Sequence, residues 1–184
     1  MKFFQNRAVA IVITVAAVIV STLLNANFNM RRDYNTLKES FFSVSGKTPV
    51  YYVDSQISAA ASLATVADHY DALSGDTVRA ARRVLIGAEE SRDISDIYLA
   101  STILSAAVDE LSAAASSVAM TEADKGTFAD GTAAVAGARR QLLESDYNAN
   151  ALALIRRNYA RFPGSFFAEL LSIPRPELFA EVTG

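Results

Sequence analysis

The sequence predicts an all-α protein, an N-terminal transmembrane helix running on into an elongated antiparallel helical bundle. Three observations predict it. Residues 8–30 carry no charge. Later segments repeat apolar residues at steps of three and four, the period of one helix face. Alanine, the best helix former, fills 33 of 184 positions, while glycine and proline together fill 12.

The first element is the uncharged stretch, which reads AVAIVITVAAVIVSTLL from Ala8 to Leu24. As a helix, its 23 residues would be about 34 Å long, enough for a hydrocarbon core of roughly 30 Å. Val and Ile weaken a helix in water, but in lipid the backbone must bond to itself and helix wins. A cleaved signal is the alternative, with Lys2 and Arg7 as its basic start and Leu24-Asn25-Ala26 as a poor cleavage triplet. The length of the run favours a retained anchor. Basic residues flank both sides (Lys2 and Arg7; Arg31, Arg32 and Lys38), so the positive-inside rule nearly ties. The signal-like start tips the body to the extracytoplasmic side.

Residues 1–30 thus form the anchor and 31–184 the bundle with a short apolar tail. A helix from Met30 to Val44 continues without a breaker, carrying Tyr34, Leu37 and Phe41, until Ser45-Gly46-Lys47-Thr48-Pro49 interrupts it. A second helix is expected over Val53–Tyr70, with Val53, Ile57, Ala60, Leu63, Ala67 and Tyr70 on its stripe. Asp76 is the expected N-cap of a third, Thr77–Glu90, which presents Val78, Ala81, Leu85 and Ala88. The fourth has the clearest pattern: Ile94, Ile97, Ser101, Leu104, Val108, Leu111 and Ala115 follow heptad steps with one polar exception.

Thr121-Glu122-Ala123-Asp124 resembles a capping box in which Asp124 reaches back to the Thr121 amide. No proline follows until Pro163, so one helix of about 60 Å is expected, softened or kinked near Gly126, Gly131 and Gly137. Pro163-Gly164 ends it. The tail, Ser165–Val182, holds Phe166, Phe167, Leu170, Leu171 and Phe179, more apolar area than an exposed tail can carry. It should dock near the membrane-proximal end, against the first helix around Tyr34–Phe41 or on the lipid itself.

Behind the apolar stretch come, in order, Tyr34-Asn35-Thr36-Leu37, Tyr147-Asn148, Asn158-Tyr159, Phe162-Pro163 and Glu177-Leu178-Phe179. That order resembles the LemA family of bacterial membrane-anchored helical proteins, and Leu63–Tyr70 is similar to the family's second helix. The family's alanine-tryptophan and arginine-rich leucine-isoleucine-proline stretch is missing, and Ser58-Ala59-Ala60-Ala61-Ser62 stands near its place. The resemblance implies a membrane-anchored antiparallel bundle without established enzymatic activity and supplies no catalytic residue.

The residues themselves offer little chemistry. There is no cysteine and one histidine, His69, so thiolate and multi-histidine metal sites are excluded. A carboxylate bundle site would want Glu-x-x-His pairs, and residue 66 is Val66. His69 reads as a structural histidine on a bundle face. Glu89, Glu90, Asp93 and Asp96 read as solvated acids, with Asp93 an N-cap; Asp109-Glu110 is an ordinary exposed pair. No G-x-S-x-G, phosphate loop or dinucleotide fingerprint occurs. No catalytic, cofactor-binding or metal residue is assigned.

Of the net charge of −3, residues 1–32 hold +4 and the remainder −7. An acidic body argues against nucleic acid as a partner. Arg31-Arg32 suit anionic headgroups beside the bilayer partner of residues 8–30, while Arg139-Arg140 and Arg156-Arg157 read as solvated residues paired with nearby acids. Asn148, Asn150 and Asn158 cost helix stability. A bonded, buried amide fixing the register of bundle helices is the favoured reading of Tyr147-Asn148 and Asn158-Tyr159, with a binding site as the alternative. The expected function is contact with other membrane or envelope proteins by a non-enzymatic bundle. A self-assembling envelope subunit (a homo-oligomer) or a ligand-sensing bundle working with a membrane partner is the alternative.

Overall fold

The computed structural model describes residues 7–43 and 46–179. Lys2, Val44, Ser45 and Val182 therefore lie outside the described residues. Among those described there are seven helices and no strand: α1 (Arg7–Phe42), α2 (Pro49–Ala67), α3 (Asp76–Ser91), α4 (Ile94–Ala115), α5 (Glu122–Leu143), α6 (Asp146–Asn158) and α7 (Gly164–Leu170). The all-α expectation holds. The chain forms two compact units, one of Met1–Lys38 with Leu152–Pro176, the other of Glu39–Ala151 with Glu177–Gly184.

In the larger unit, α2 to α5 form an antiparallel four-helix bundle. Its pairings run in opposite senses along α2 and α5: Tyr52 meets Gln141, Leu63 meets Gly131 and, just past the end of α2, Tyr70 meets Asp124. Helix α3 descends beside α2, with Arg82 Nε donating to the Ile57 carbonyl at 3.0 Å. All seven residues of the heptad pattern on α4 are buried, as are Val78, Ala81, Leu85 and Ala88 on α3. The polar exception is satisfied: Ser101 Oγ donates to Oε1 of the fully buried Gln56 at 2.8 Å.

Several boundaries differ from expectation. Helix α2 starts at Pro49, which sits in its first turn behind Thr48 in an extended conformation. The first helix does end before Pro49, as expected, but a proline in a first turn loses no intrahelical bond, so the second helix opens there and not at Val53. The helix also ends at Ala67, short of Tyr70. Gly75 takes the N-cap position of α3, and Asp76 is its first residue, an acid at the positive end of the helix dipole.

The single 60 Å helix is broken, and not at its glycines. The chain turns at Glu144-Ser145, between α5 and α6. Ser145 Oγ donates to the Leu142 carbonyl at 2.7 Å, a local bond of the kind by which Ser and Asp compete with the helix ladder. Gly131 has a packing role in α5. A Cβ there would lie 2.9 Å from Leu63 Cγ and Cδ2, so the bare backbone is what lets α5 approach α2. At the far end, α6 stops at Asn158, before Pro163-Gly164; Gly164 opens the short α7.

In the smaller unit, Met30 of α1 is buried with Ala168 and Ile173, with Tyr159, Phe167 and Leu171 packed around them. Arg31 donates to the Leu171 carbonyl at 3.3 Å, Tyr159 Oη donates to the Pro174 carbonyl at 2.8 Å, and Arg157 pairs with Asp33. Part of the tail thus docks on α1 at Met30 and Arg31. The chain itself covers only part of the tail's apolar area, since Phe166 and Leu170 remain 52% and 54% exposed.

Candidate functional site

Helix α1 supplies the most distinctive surface. Residues 11–22 are all exposed, with no covered face, and Ile11, Val12 and Leu24 each keep more than 60% of their surface open. Both threonine hydroxyls of this stretch bond inside the helix: Thr14 Oγ1 donates to the Ala10 carbonyl at 2.9 Å and Thr22 Oγ1 to that of Val18 at 2.8 Å. In lipid that satisfaction is required, since no water competes. Beyond the aliphatic run the helix turns polar by steps, Asn29 donating to Asn25 at 2.8 Å and Arg31 to Asn27 at 2.7 Å. Helix α1 is long and apolar enough to span a membrane.

The motifs singled out at Tyr147-Asn148 and Glu177-Leu178-Phe179 come together in the larger unit. Asn148 Nδ2 donates to the Phe179 carbonyl at 2.7 Å, and the Phe179 amide donates to Asn148 Oδ1 at 2.8 Å, a reciprocal pair like that between two strands. Tyr147 Oη donates to the Glu177 carbonyl at 2.9 Å. Glu177 Oε2 accepts from the Ile94 amide at 2.8 Å, one of the donors that the start of α4 leaves open. Asp93 accepts from the Asp96 amide at 2.8 Å, the N-cap expected of it.

The Phe179 ring is fully buried, 5.3 Å from Tyr98 and 6.0 Å from Phe41, with Tyr147 edge-on to Phe41 at 5.0 Å. The tail thus reaches the first helix at Phe41. Asn148 does fix a register, but that of an extended segment; the expectation of a helix-to-helix amide is corrected. Asn150 is exposed. Asn158 Oδ1 accepts from Arg157 at 3.2 Å.

His69 lies half-exposed, its Nδ1 3.5 Å from Asp124 Oδ1. The capping box is present but rearranged. Thr121 Oγ1 accepts from the Asp124 amide at 3.2 Å, while the Thr121 amide donates to Tyr70 Oη at 3.0 Å and leaves the Asp124 carboxylate to others. Tyr70 Oη and Thr121 Oγ1 both donate to Asp124 Oδ2, at 2.6 and 3.0 Å. These bonds, Tyr70's first, hold the Asp124 carboxyl below the usual carboxylate range. A carboxyl depressed on folding stabilises above its unfolded value, and that stabilisation is lost as the pH falls through the folded one. The hydroxyls serve a carboxylate at a helix start, which is capping rather than nucleophile activation.

Among the acids of the α3–α4 junction, burial first, then Asp54 and Glu90, pushes the Glu89 carboxyl up. Arg92 pairs with Glu39 at 3.0 Å and lies 4.6 Å over the Phe42 ring. Arg139 donates to Thr102 Oγ1 at 3.1 Å and not to an acid, correcting its expected pairing. At the α5–α6 break an open groove of about 340 Å³ has Lys47, Tyr52, Gln141, Glu144, Asp146 and Asn150 in its lining, mixed in charge.

Sequence reasoning missed three residues here: Gln56, Tyr70 as an amide acceptor, and the Glu177 side chain. Gln56 was within reach, since Val53, Gln56, Ile57 and Ala60 keep three–four steps. The Glu177 contact spans 83 residues and leaves no local signal. Compared with protein-family models, with curated proteins and with solved structures, the chain matches none, and the likeness to the LemA family rests on the residues quoted above.

Proposed function

We propose that the chain is a membrane-anchored, non-enzymatic helical bundle of the bacterial cell envelope, a divergent relative of the LemA family that works through protein–protein contacts. The carrying observation is the open apolar surface of α1 over residues 11–22, which water does not tolerate and lipid does. On this reading α1 crosses the bilayer once, and the body lies on the extracytoplasmic side, as the signal-like start suggests. Contact is supported by Val84 on α3 and by Leu99 and Ile103, one turn apart on α4, all more than half exposed.

The test is crosslinking in intact membranes from a photoreactive residue at Leu99. Adducts with other envelope proteins are expected. Adducts only with a second copy would favour a self-assembling subunit, and none from Leu99, Ile103 or Val84 would refute contact through this face. Sidedness is checked separately. The chain has no native cysteine, so Ser172→Cys at an exposed position should be labelled in whole cells by an impermeant maleimide. Labelling only after lysis would place the body inside.

A further inference from the structure

We infer that the α6–α7 turn and α7 form a second membrane contact, lying among the headgroups of an anionic bilayer without crossing it. The inference rests on the reading of α1 as a membrane anchor and adds a lipid class to it.

The first observation is charge. Leaving out Lys2 and Arg7, which a spanning α1 puts across the bilayer, the smaller unit holds seven basic and two acidic residues, a net +5, while the larger holds eight basic and eighteen acidic, a net −10. Arg156, Arg157 and Arg161 line an open groove of about 670 Å³ with Ala153 and Ala160. Arg31, Arg32 and Arg175 of the same unit are exposed too. Guanidinium groups are the side chains best shaped for phosphate.

The second is the apolar surface left open. Helix α7 turns Phe167 and Ala168 toward Met30 and Ile173, yet leaves Phe166 and Leu170, one turn apart, over half exposed. Phe162 adds to them at 81% exposed, its ring 6.4 Å from that of Phe166. Aromatic and aliphatic side chains beside arginines are what an interfacial segment presents to headgroups and upper acyl chains.

The third is continuity with α1. Met30 ends its uncharged stretch and packs on Ala168 and Ile173; Arg31 follows and holds the Leu171 carbonyl. Where α1 leaves the hydrocarbon, α7 is therefore at hand. A protein partner would need an acidic, apolar-lined face brought to this level, whereas a spanning α1 brings anionic lipid there by itself.

The test uses the full chain in lipid nanodiscs, with a single cysteine carrying an environment-sensitive dye at Phe166→Cys or, separately, at Val20→Cys in α1. With phosphatidylglycerol mixed into phosphatidylcholine, the dye at position 166 should shift to the blue and be quenched by brominated acyl chains. Replacing Arg156, Arg157 and Arg161 together by glutamine should abolish the dependence on phosphatidylglycerol, and lysine at the same positions should restore it. Added salt should weaken it too, since the Debye length is about 8 Å at 0.15 M.

Quenching at position 20 without any at position 166 overturns the headgroup site and leaves the anchor standing. So does a photo-adduct between position 166 and a protein in native membranes. Quenching at 166 without any at 20 overturns the anchor and leaves the headgroup site. If neither probe is quenched, both fall.

Discussion

Both α1 and α4 are long and apolar enough to cross a bilayer, yet they meet opposite surroundings. Helix α4 buries Ile94, Ile97, Ser101, Leu104, Val108, Leu111 and Ala115 along one stripe, with a hydroxyl among them that Gln56 satisfies. Helix α1 has no such stripe over residues 11–22, and its two threonine hydroxyls there bond back into their own helix. Composition alone does not separate a core helix from a spanning one. Periodicity adds to it, because a stripe implies a protein neighbour on one side, whereas a helix apolar all round suits a membrane span or enclosure on every side.

That contrast can be broken by substitution. The largest effect is expected from Leu104→Ala, which empties a fully buried position on α4 and should cost roughly 2–5 kcal/mol by cavity formation. Thermal melts in detergent check it against Ile103→Ser, one residue away and 52% exposed, expected to stay within about 0.5 kcal/mol. Equal losses would erase the distinction between the faces of α4.

Next comes Val15→Arg, at an exposed position in the middle of the apolar run. It should lower membrane insertion by about 2.5–3.5 kcal/mol while leaving the bundle's melt unchanged. Insertion assayed in microsomes or inverted vesicles reads it, and full insertion of the variant would argue against a spanning α1. Smallest is Asp93→Ala, which removes the side chain that caps α4 and should cost about 1 kcal/mol of bundle stability. An unchanged melt would mean that Glu177, bonded to the neighbouring Ile94 amide, suffices for the helix start.

The same contrast explains what could be read in advance. The α4 stripe, the α3 stripe and the Asp93 cap were legible because each is a local pattern of one helix. The break at Glu144-Ser145 was not, since Ser and Glu both occur inside helices and the glycines upstream carry the stronger local signal for a break. Gly131 carries that signal for another reason: its missing side chain lets α5 pack on Leu63, 68 positions away in sequence. Asn148 was legible as an anomaly. Its partner Phe179 could not be, because a main-chain segment that accepts and donates carries no side-chain signature.

The larger unit is not one stretch of chain. It leaves at Ala151 and resumes at Glu177, with 25 residues of the other unit intervening. Anyone excising the four-helix bundle at Ala151 would cut away the residue that fills the hollow between Phe41 and Tyr98, and the carboxylate that serves the Ile94 amide. A self-sufficient fragment would have to rejoin Ala151 to Glu177 through a short artificial bridge. The bundle behaves as a vessel whose stopper is stored further along the same thread.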